Sequence, residues 1–244
     1  MIEMTAAKLR WRHDTMPVAD RVPMFQRAVA AIATYRDRAI VPHPKIAHLL
    51  SAARDEKYER GVVDPVFWYG ADTSLSPSIG LLSDTKHPEL RFTVGVPAWH
   101  QMAAWGVEIA PRPDDQEIVS QRPEISFVWE YSLWAVPRLV DALRPHHAVL
   151  GPNIVSGDLA RASDALPKGL HPWNWFSDEA LSTYPFLRGA IESLPDVVFE
   201  PLAGGLVVQV VPDLYHKPSK AFLEALAAIP VEPKFRYHQS KAQR

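Results

Sequence analysis

Two histidine pairs have a type and spacing that could support metal binding or proton transfer. His43 and His48 are five residues apart, whereas three or four residues would place both side chains on one helix face. His146 and His147 are adjacent, and adjacent side chains diverge on helices and on strands. Neither pair predicts a shared metal ion. We interpret the first pair as surface residues and the second as a polar turn between a helix and a strand.

The acidic loop at 111–117 is the next candidate, because Asp114, Asp115 and Glu117 could bind a cation or act as an acid–base pair. Two prolines in the loop stiffen it and favour exposure. No lysine follows at the spacing of a restriction-type nuclease. The loop is therefore predicted to be solvated, with contact to a basic partner protein as the sharper hypothesis.

Linear signatures of catalysis are absent from the sequence. It contains no GxSxG, GxxxxGK[ST], GxGxxG or HExxH pattern. It also has no cysteine, which excludes disulfides and thiolate ligands. We accordingly predict no catalytic residue, no metal and no cofactor. A small-molecule enzyme whose site assembles in space from His100, Glu108, Asp114 and His147 is the alternative, since such a site leaves no linear motif.

Composition indicates an ordinary globular protein. Of 244 residues, 47% are hydrophobic and 22% charged, and the net charge is −2, which does not suit a bulk nucleic-acid binder. Charges at the N-terminus occupy the place of a signal peptide's apolar stretch, and no apolar run reaches membrane-spanning length. These features predict a cytoplasmic protein that contacts neither membrane nor nucleic acid directly. We find no repeat and no boundary, so residues 1–244 are predicted to form a single domain.

The first third of the chain is predicted to be helical, over about 20–60. Asp20 is a candidate cap, and Val22, Phe25, Val29 and Ile32 follow at helical spacing. A second amphipathic helix is predicted from Pro44 to just before Gly61.

The middle of the chain changes to an alternating pattern. Segments 91–96 and 124–130 alternate apolar and polar residues and are predicted to be half-buried strands, with a further strand at 79–82. A helix follows to Leu143, and Pro137 marks either a kink or a late start.

The last third carries the strongest local signals. Two β-rich runs, 197–202 and 205–211, are joined by Ala203–Gly204 and predict a hairpin. Ser219 is predicted to cap a final helix, and the tail 233–244 is predicted to be frayed. The whole pattern favours an α+β fold, mainly an antiparallel sheet flanked by helices, with a helical N-terminal segment.

Six of the eight tryptophans fall into two groups. Trp129 and Trp134 lie among apolar residues and are predicted to be core. Trp99 and Trp105 lie near turn residues, and Trp173 shares a strand face with Trp175 if that segment is extended. Exposed aromatic clusters of this kind are typical of interface hot spots.

Residues 171–229 resemble the C-terminal part of the immunity-protein 52 family of bacterial polymorphic and type VI secretion toxin systems. The resemblance rests on Trp173, Leu194–Pro195, a hydrophobic strand, Gly204–Gly205, a second hydrophobic strand and a final helix. His171–Pro172 departs from the glycine expected before the tryptophan, which leaves a related type VI immunity family open.

The resemblance implies a bacterial cytoplasmic antidote whose partner is a cognate toxin, typically a restriction-endonuclease-like nuclease. Occlusion of the toxin's active site or substrate path would protect the producing cell, and homodimerisation is left open. The hypothesised partner-binding residues combine acidic groups with aromatics: Asp72, Trp99, Trp105, Asp114, Asp115, Glu117, Trp173, Asp178 and Glu179. A structural component of a secretion or phage assembly is a third possibility.

Overall fold

Strands and helices are interspersed along the part of the chain that the structure describes. The computed structural model describes residues 5–11, 18–41, 68–69, 76–82, 89–95, 123–152, 169–183, 185–212, 216–231 and 235–237. In these ranges the strands are β1 (Thr5–Arg10), β2 (Thr34–Tyr35), β3 (Arg38–Val41), β4 (Trp68–Tyr69), β5 (Ser76–Leu82), β6 (Glu89–Gly95), β7 (His147–Pro152), β8 (Gly169–Leu170), β9 (Trp173–Ser177), β10 (Val198–Pro201), β11 (Gly205–Gln209) and β12 (Arg236–Tyr237). The helices are α1 (Val18–Ala31), α2 (Pro123–Leu143), α3 (Asp178–Ser182), α4 (Leu187–Glu192) and α5 (Lys220–Ala228).

The main sheet has seven strands in the order β10-β11-β9-β7-β1-β6-β5. Every neighbouring pair in it is antiparallel. Two small sheets, β2-β3-β4 and β8-β12, add to it. The predicted α+β class, an antiparallel sheet flanked by helices, is confirmed.

Strand β1 occupies the middle of the sheet, whereas the sequence analysis predicted no strand before about residue 20. Ala7 and Leu9 point to one face and are fully buried, while Lys8 and Arg10 alternate with them. This period-two pattern is a strand signal. It was missed because two of its six residues are cationic, which is unusual at the centre of a sheet.

Helices α1 and α2 pack over one face of the sheet. Met24, Ala28 and Ile32 are buried at four-residue spacing. The helix begins at Val18, so Asp20 lies within its first turn and the prediction that Asp20 caps it is wrong. The short strands β2 and β3 follow α1, where we predicted continued helix.

The segment predicted as a strand at 124–130 is instead the beginning of α2. Seven residues of alternation fit a strand, but the buried positions that follow recur every three or four residues, at 128, 131, 135, 139 and 143. Pro137 lies inside this helix, so the late start is wrong. The wider apolar stripe buries Trp129, as predicted, and its indole Nε1 donates to the Pro212 carbonyl at 2.9 Å.

The opposite face carries a second apolar cluster beneath α3, α4 and α5. Phe176 and Val208 from the strands contact Leu187, Ile191 and helix α5. The predicted cap of α5 is confirmed, because the Ser219 hydroxyl accepts from the Phe222 amide at 3.1 Å. In the tail, Phe235 is buried and β12 pairs in parallel with β8, so fraying does not hold for 235–237.

The predicted hairpin is confirmed as β10-β11. Ala203 and Gly204 both have positive φ, 55° and 71°, as a two-residue type I′ turn requires. The Leu202 amide donates to the Gly205 carbonyl at 3.0 Å and closes the turn. Gly205 passes so close to β9 that an added Cβ would overlap the Phe176 carbonyl oxygen and lie 2.8 Å from Cζ2 of Trp175.

Strands β5 and β6 are confirmed where they were predicted, whereas the helix predicted after Pro44 lies outside the described residues. None of the helices that the structure describes is long and apolar enough to cross a membrane. The single-domain organisation stays a prediction.

Replacing Gly205 with alanine should lower the free energy of unfolding by about 2 kcal/mol or more, because the methyl group overpacks the hairpin against β9. Gly189→Ala is the matched control. No atom lies within 4 Å of its added Cβ, and helix propensity favours alanine by about 1 kcal/mol. Urea unfolding followed by circular dichroism measures both. Equal stability of the two variants would contradict the close-packing account.

Candidate functional site

Three of the residues predicted to bind a partner lie in the described part of the chain: Trp173, Asp178 and Glu179. The other six, Asp72, Trp99, Trp105, Asp114, Asp115 and Glu117, lie outside the described residues, as do His100 and Glu108 of the alternative enzyme site.

Trp173 and Trp175 share one face of β9, as the alternation predicts. Trp173 is 3% exposed and Trp175 1%, and both belong to the cluster under α1 and α2. Because so little of Trp173 reaches the surface, its position in this structure suits the support of the sheet. The Trp175 indole Nε1 donates to the Leu202 carbonyl at 2.8 Å, which ties β9 to the hairpin turn.

Asp178 and Glu179, which we call the acid pair, form the first turn of α3 directly after β9. The Ser177 hydroxyl accepts from the Ala180 amide at 3.0 Å and caps the helix. The Asp178 amide donates to the Gly204 carbonyl at 3.0 Å, so the hairpin turn fixes the start of the helix. Both acidic side chains are exposed, and the helix N-terminus favours their negative charge.

Arg188 on α4 organises the carboxylates around the acid pair. Its Nη1 lies 2.8 Å from Oδ1 of Asp178, and its Nε lies 3.0 Å from Oε1 of Glu192. The hydrogen bond to Glu192 raises the pKa of Arg188, and Asp178 adds to the shift. The three groups are exposed, so the network contributes little to stability and mainly orients side chains.

Glu179 contacts the polar interior. Its Oε2 lies 3.9 Å from Nδ1 of the buried His146. The His146 carbonyl accepts from the Ser177 amide at 3.0 Å, and its own amide donates to the Arg10 carbonyl at 2.6 Å. The acid pair is therefore connected through backbone hydrogen bonds to the central strands.

Buried polar side chains, which the sequence analysis did not identify, lie on β1, β7 and β9 or just before β7 and β9, and we call them the buried polar cluster. Its members are Lys8, Arg10, His146, His147, His171 and Asn174. The strand register places Arg10 opposite His147, and the rings of His146 and His147 are 6.2 Å apart. The two histidines lie where α2 ends and β7 begins, as the interpretation of a turn between a helix and a strand expects, but both are buried.

Asn174 is fully satisfied within this cluster. Its Oδ1 accepts from the His171 amide at 2.8 Å, and its Nδ2 donates to the His171 and Val208 carbonyls at 2.8 and 3.1 Å. Such a residue fixes the backbone before β9. Among the residues that the structure describes, no group of three or more His, Asp or Glu is arranged to hold a metal ion.

Comparison with known proteins yields little. No protein-family model matches the chain, and no curated protein matches its sequence. Among solved structures, the chain is similar to the Pseudomonas aeruginosa T6SS protein PA0821, with a TM-score of 0.44 and 12% identity, over 92% of this chain and 72% of that one. A likeness at this TM-score carries no functional assignment, since even a well-shared fold hosts many functions.

Ser177→Ala should lower the free energy of unfolding by about 1 kcal/mol, because the Ala180 amide loses its acceptor. Ser193→Ala is the matched control. The Ser193 hydroxyl donates to the Ala190 carbonyl at an exposed helix end, and its loss should cost less than about 0.5 kcal/mol. Thermal unfolding of both variants tests the difference, and an equal cost would show that the cap does not hold α3.

Proposed function

We propose that this protein is an immunity protein that binds and neutralises a cognate secreted bacterial toxin, a nuclease of restriction-endonuclease-like type. The toxin would belong to a polymorphic or type VI secretion system, and the immunity protein would act in the cytoplasm of the producing cell. The observation that carries the proposal is the exposed acid pair at the start of α3, anchored on the sheet within the stretch that resembles immunity proteins.

Charge complementarity supports this partner. Two exposed carboxylates, Asp178 and Glu192, contact the guanidinium of Arg188, and a third, Glu179, follows Asp178 in the chain. The three carboxylates and the one guanidinium sum to two negative charges. Surfaces that bind nucleic acid are basic, so this group suits the substrate path of a nuclease. Complementary charge raises the association rate and excludes wrong partners.

Preorganisation supports it as well. The Ser177 cap and the hydrogen bond from the Asp178 amide to the Gly204 carbonyl hold the acid pair in place before any partner binds. Binding through a rigid surface loses less conformational entropy than binding through a mobile one. The loop acids Asp114, Asp115 and Glu117, with Asp72, Trp99 and Trp105, remain proposed contacts of the same interface.

Co-expression with the toxin candidate encoded beside the gene should rescue growth, and the two proteins should co-purify. An unrelated nuclease expressed in place of the toxin candidate controls for non-specific capture. Toxicity that persists together with failure to co-purify would overturn the proposal.

The double variant Asp178→Asn with Glu179→Gln should weaken toxin binding about tenfold, mainly through a slower association rate that depends less on salt. Glu200→Gln with Glu224→Gln changes the net charge by the same two units at exposed sites on β10 and α5, and it should alter affinity less than about threefold. Surface plasmon resonance at two salt concentrations separates these results. Equal effects of both double variants would remove the acid pair from the interface.

A small-molecule enzyme is the second candidate, and the buried polar cluster favours it. Clustered titratable groups in a protein interior are more frequent at active sites than elsewhere. Turnover of a metabolite by the purified protein, abolished by His147→Gln while the fold persists, would support the enzyme and contradict the immunity proposal.

A further inference from the structure

The exposed face of α2 carries an ordered stripe of side chains. Glu130, Trp134, Arg138 and Asp141 follow one another at intervals of four, four and three residues, which places them on one helix face. Trp134 is half-buried and the three charged residues are exposed. We call these four residues the α2 stripe.

All but one of the charges on the α2 stripe are balanced. Glu130 Oε1 accepts from Arg36 Nη2 at 2.8 Å, and Asp141 Oδ1 accepts from Arg144 Nη2 at 2.7 Å. Arg138 forms no ion pair with any residue that the structure describes. Its Nη1 donates to the Trp134 carbonyl at 2.9 Å. The stripe therefore presents one uncompensated cation between two neutralised acids.

Aromatic rings hold this cation in place. The Arg138 guanidinium lies 4.6 Å from the centroid of the Trp134 ring, within range of a cation–π interaction. Tyr35 and Tyr131 support the same ring at 4.8 and 5.5 Å. Because Nη1 is engaged by the Trp134 carbonyl, the Nε–Nη2 edge of the guanidinium is the edge suited to two parallel hydrogen bonds with a carboxylate.

The β2–β3 hairpin lies next to the α2 stripe, and its tip has a strained backbone. Arg36 and Asp37 have φ of 47° and 63°, a left-handed conformation that disfavours side chains. The turn holds Arg36 5.2 Å above the Tyr35 ring and against Glu130. The hydrogen bond to Glu130 raises the pKa of Arg36, and burial raises the pKa of Tyr35. Strain of this kind concentrates at functional positions.

The composition of this surface favours a protein ligand. Tryptophan, tyrosine and arginine are the residues most enriched in interface hot spots. Small molecules are usually enclosed, whereas Arg36 and Glu130 here are 52% and 62% exposed. Acids on both sides of Arg138 oppose a nucleic-acid backbone. A partner protein that places one carboxylate between these two acids would neutralise the charge of Arg138.

We propose that the α2 stripe is a docking surface that receives a carboxylate side chain of the partner protein on the Nε–Nη2 edge of Arg138. The inference rests on the proposed function for the identity of that partner, the toxin. Helix α2 covers the face of the sheet opposite to α3. The α2 stripe and the acid pair are therefore separate surfaces, and the toxin would contact the α2 stripe independently of the acid pair.

The test compares Arg138→Gln and Arg138→Lys with Arg27→Gln for binding to the purified toxin domain by isothermal titration calorimetry. Arg27 is an exposed arginine on α1 and controls for the loss of one positive charge. Arg138→Gln should weaken binding at least about tenfold, because a partner carboxylate loses its hydrogen-bonded cation. Arg138→Lys should restore only part of the affinity, and Arg27→Gln should change it less than about threefold.

Each outcome decides a different point. Wild-type affinity in Arg138→Gln, or equal losses in Arg138→Gln and Arg27→Gln, overturns the docking surface while the immunity function stands. Absence of binding by the wild-type protein overturns the function and this inference together. Thermal unfolding of Arg138→Gln is measured alongside, and an unchanged midpoint attributes the loss to the interface.

Discussion

Contact between the hairpin turn and the Trp175 indole determines the path of the C-terminal third of the chain. The indole donates to the Leu202 carbonyl while the backbone of Gly205 passes against its ring. This approach requires a residue without a side chain at 205. The Gly204 carbonyl next to it accepts from Asp178 and starts α3, so one close contact determines where the acid pair projects.

The two faces of the sheet differ in the polarity of their buried side chains. The face under α1 and α2 is apolar, with Leu9 and Phe92 in its centre. The other side combines an apolar cluster beneath α3, α4 and α5 with buried cationic and imidazole groups on β1 and β7. Burial of such groups is costly unless each is compensated.

Local signals in the sequence identified the elements whose chemistry is local. The hairpin, the Ser219 cap and strands β5 and β6 follow from turn residues, capping and alternation, which act within a few positions. The N-terminal strand β1 and the helix at 123–143 could not be read this way. The positive charges of Lys8 and Arg10 are atypical of a central strand, so β1 was not predicted. The alternation over 124–130 fits a strand or a helix until the positions of the buried residues further along the chain are known.

The candidate site shows the same division. Ser177–Asp178–Glu179 was recognisable because a cap followed by acids is a sequence pattern. The cation–aromatic arrangement around Trp134 was not, since it joins residues nearly 100 positions apart through tertiary packing, as the contact of Tyr35 with Trp134 shows. The proximity of Arg10 to His147 likewise exists only once β1 pairs with β7. Contacts that form only when strands pair cannot be recognised from the spacing of residues along the sequence.

Strand β10 ends the main sheet, and its last residue has a consequence for the behaviour of the whole molecule. Leu202 is hydrogen-bonded to Gly205 across the hairpin, and hydrogen-bonded residues alternate along β10. Pro201 and Phe199 therefore direct their backbone groups away from β11, toward the open edge of the sheet. Pro201 has no amide proton, and Glu200 beside it is charged. An incoming strand finds a broken row of donors at this edge. Edge-to-edge association of two copies through β10 is thereby disfavoured.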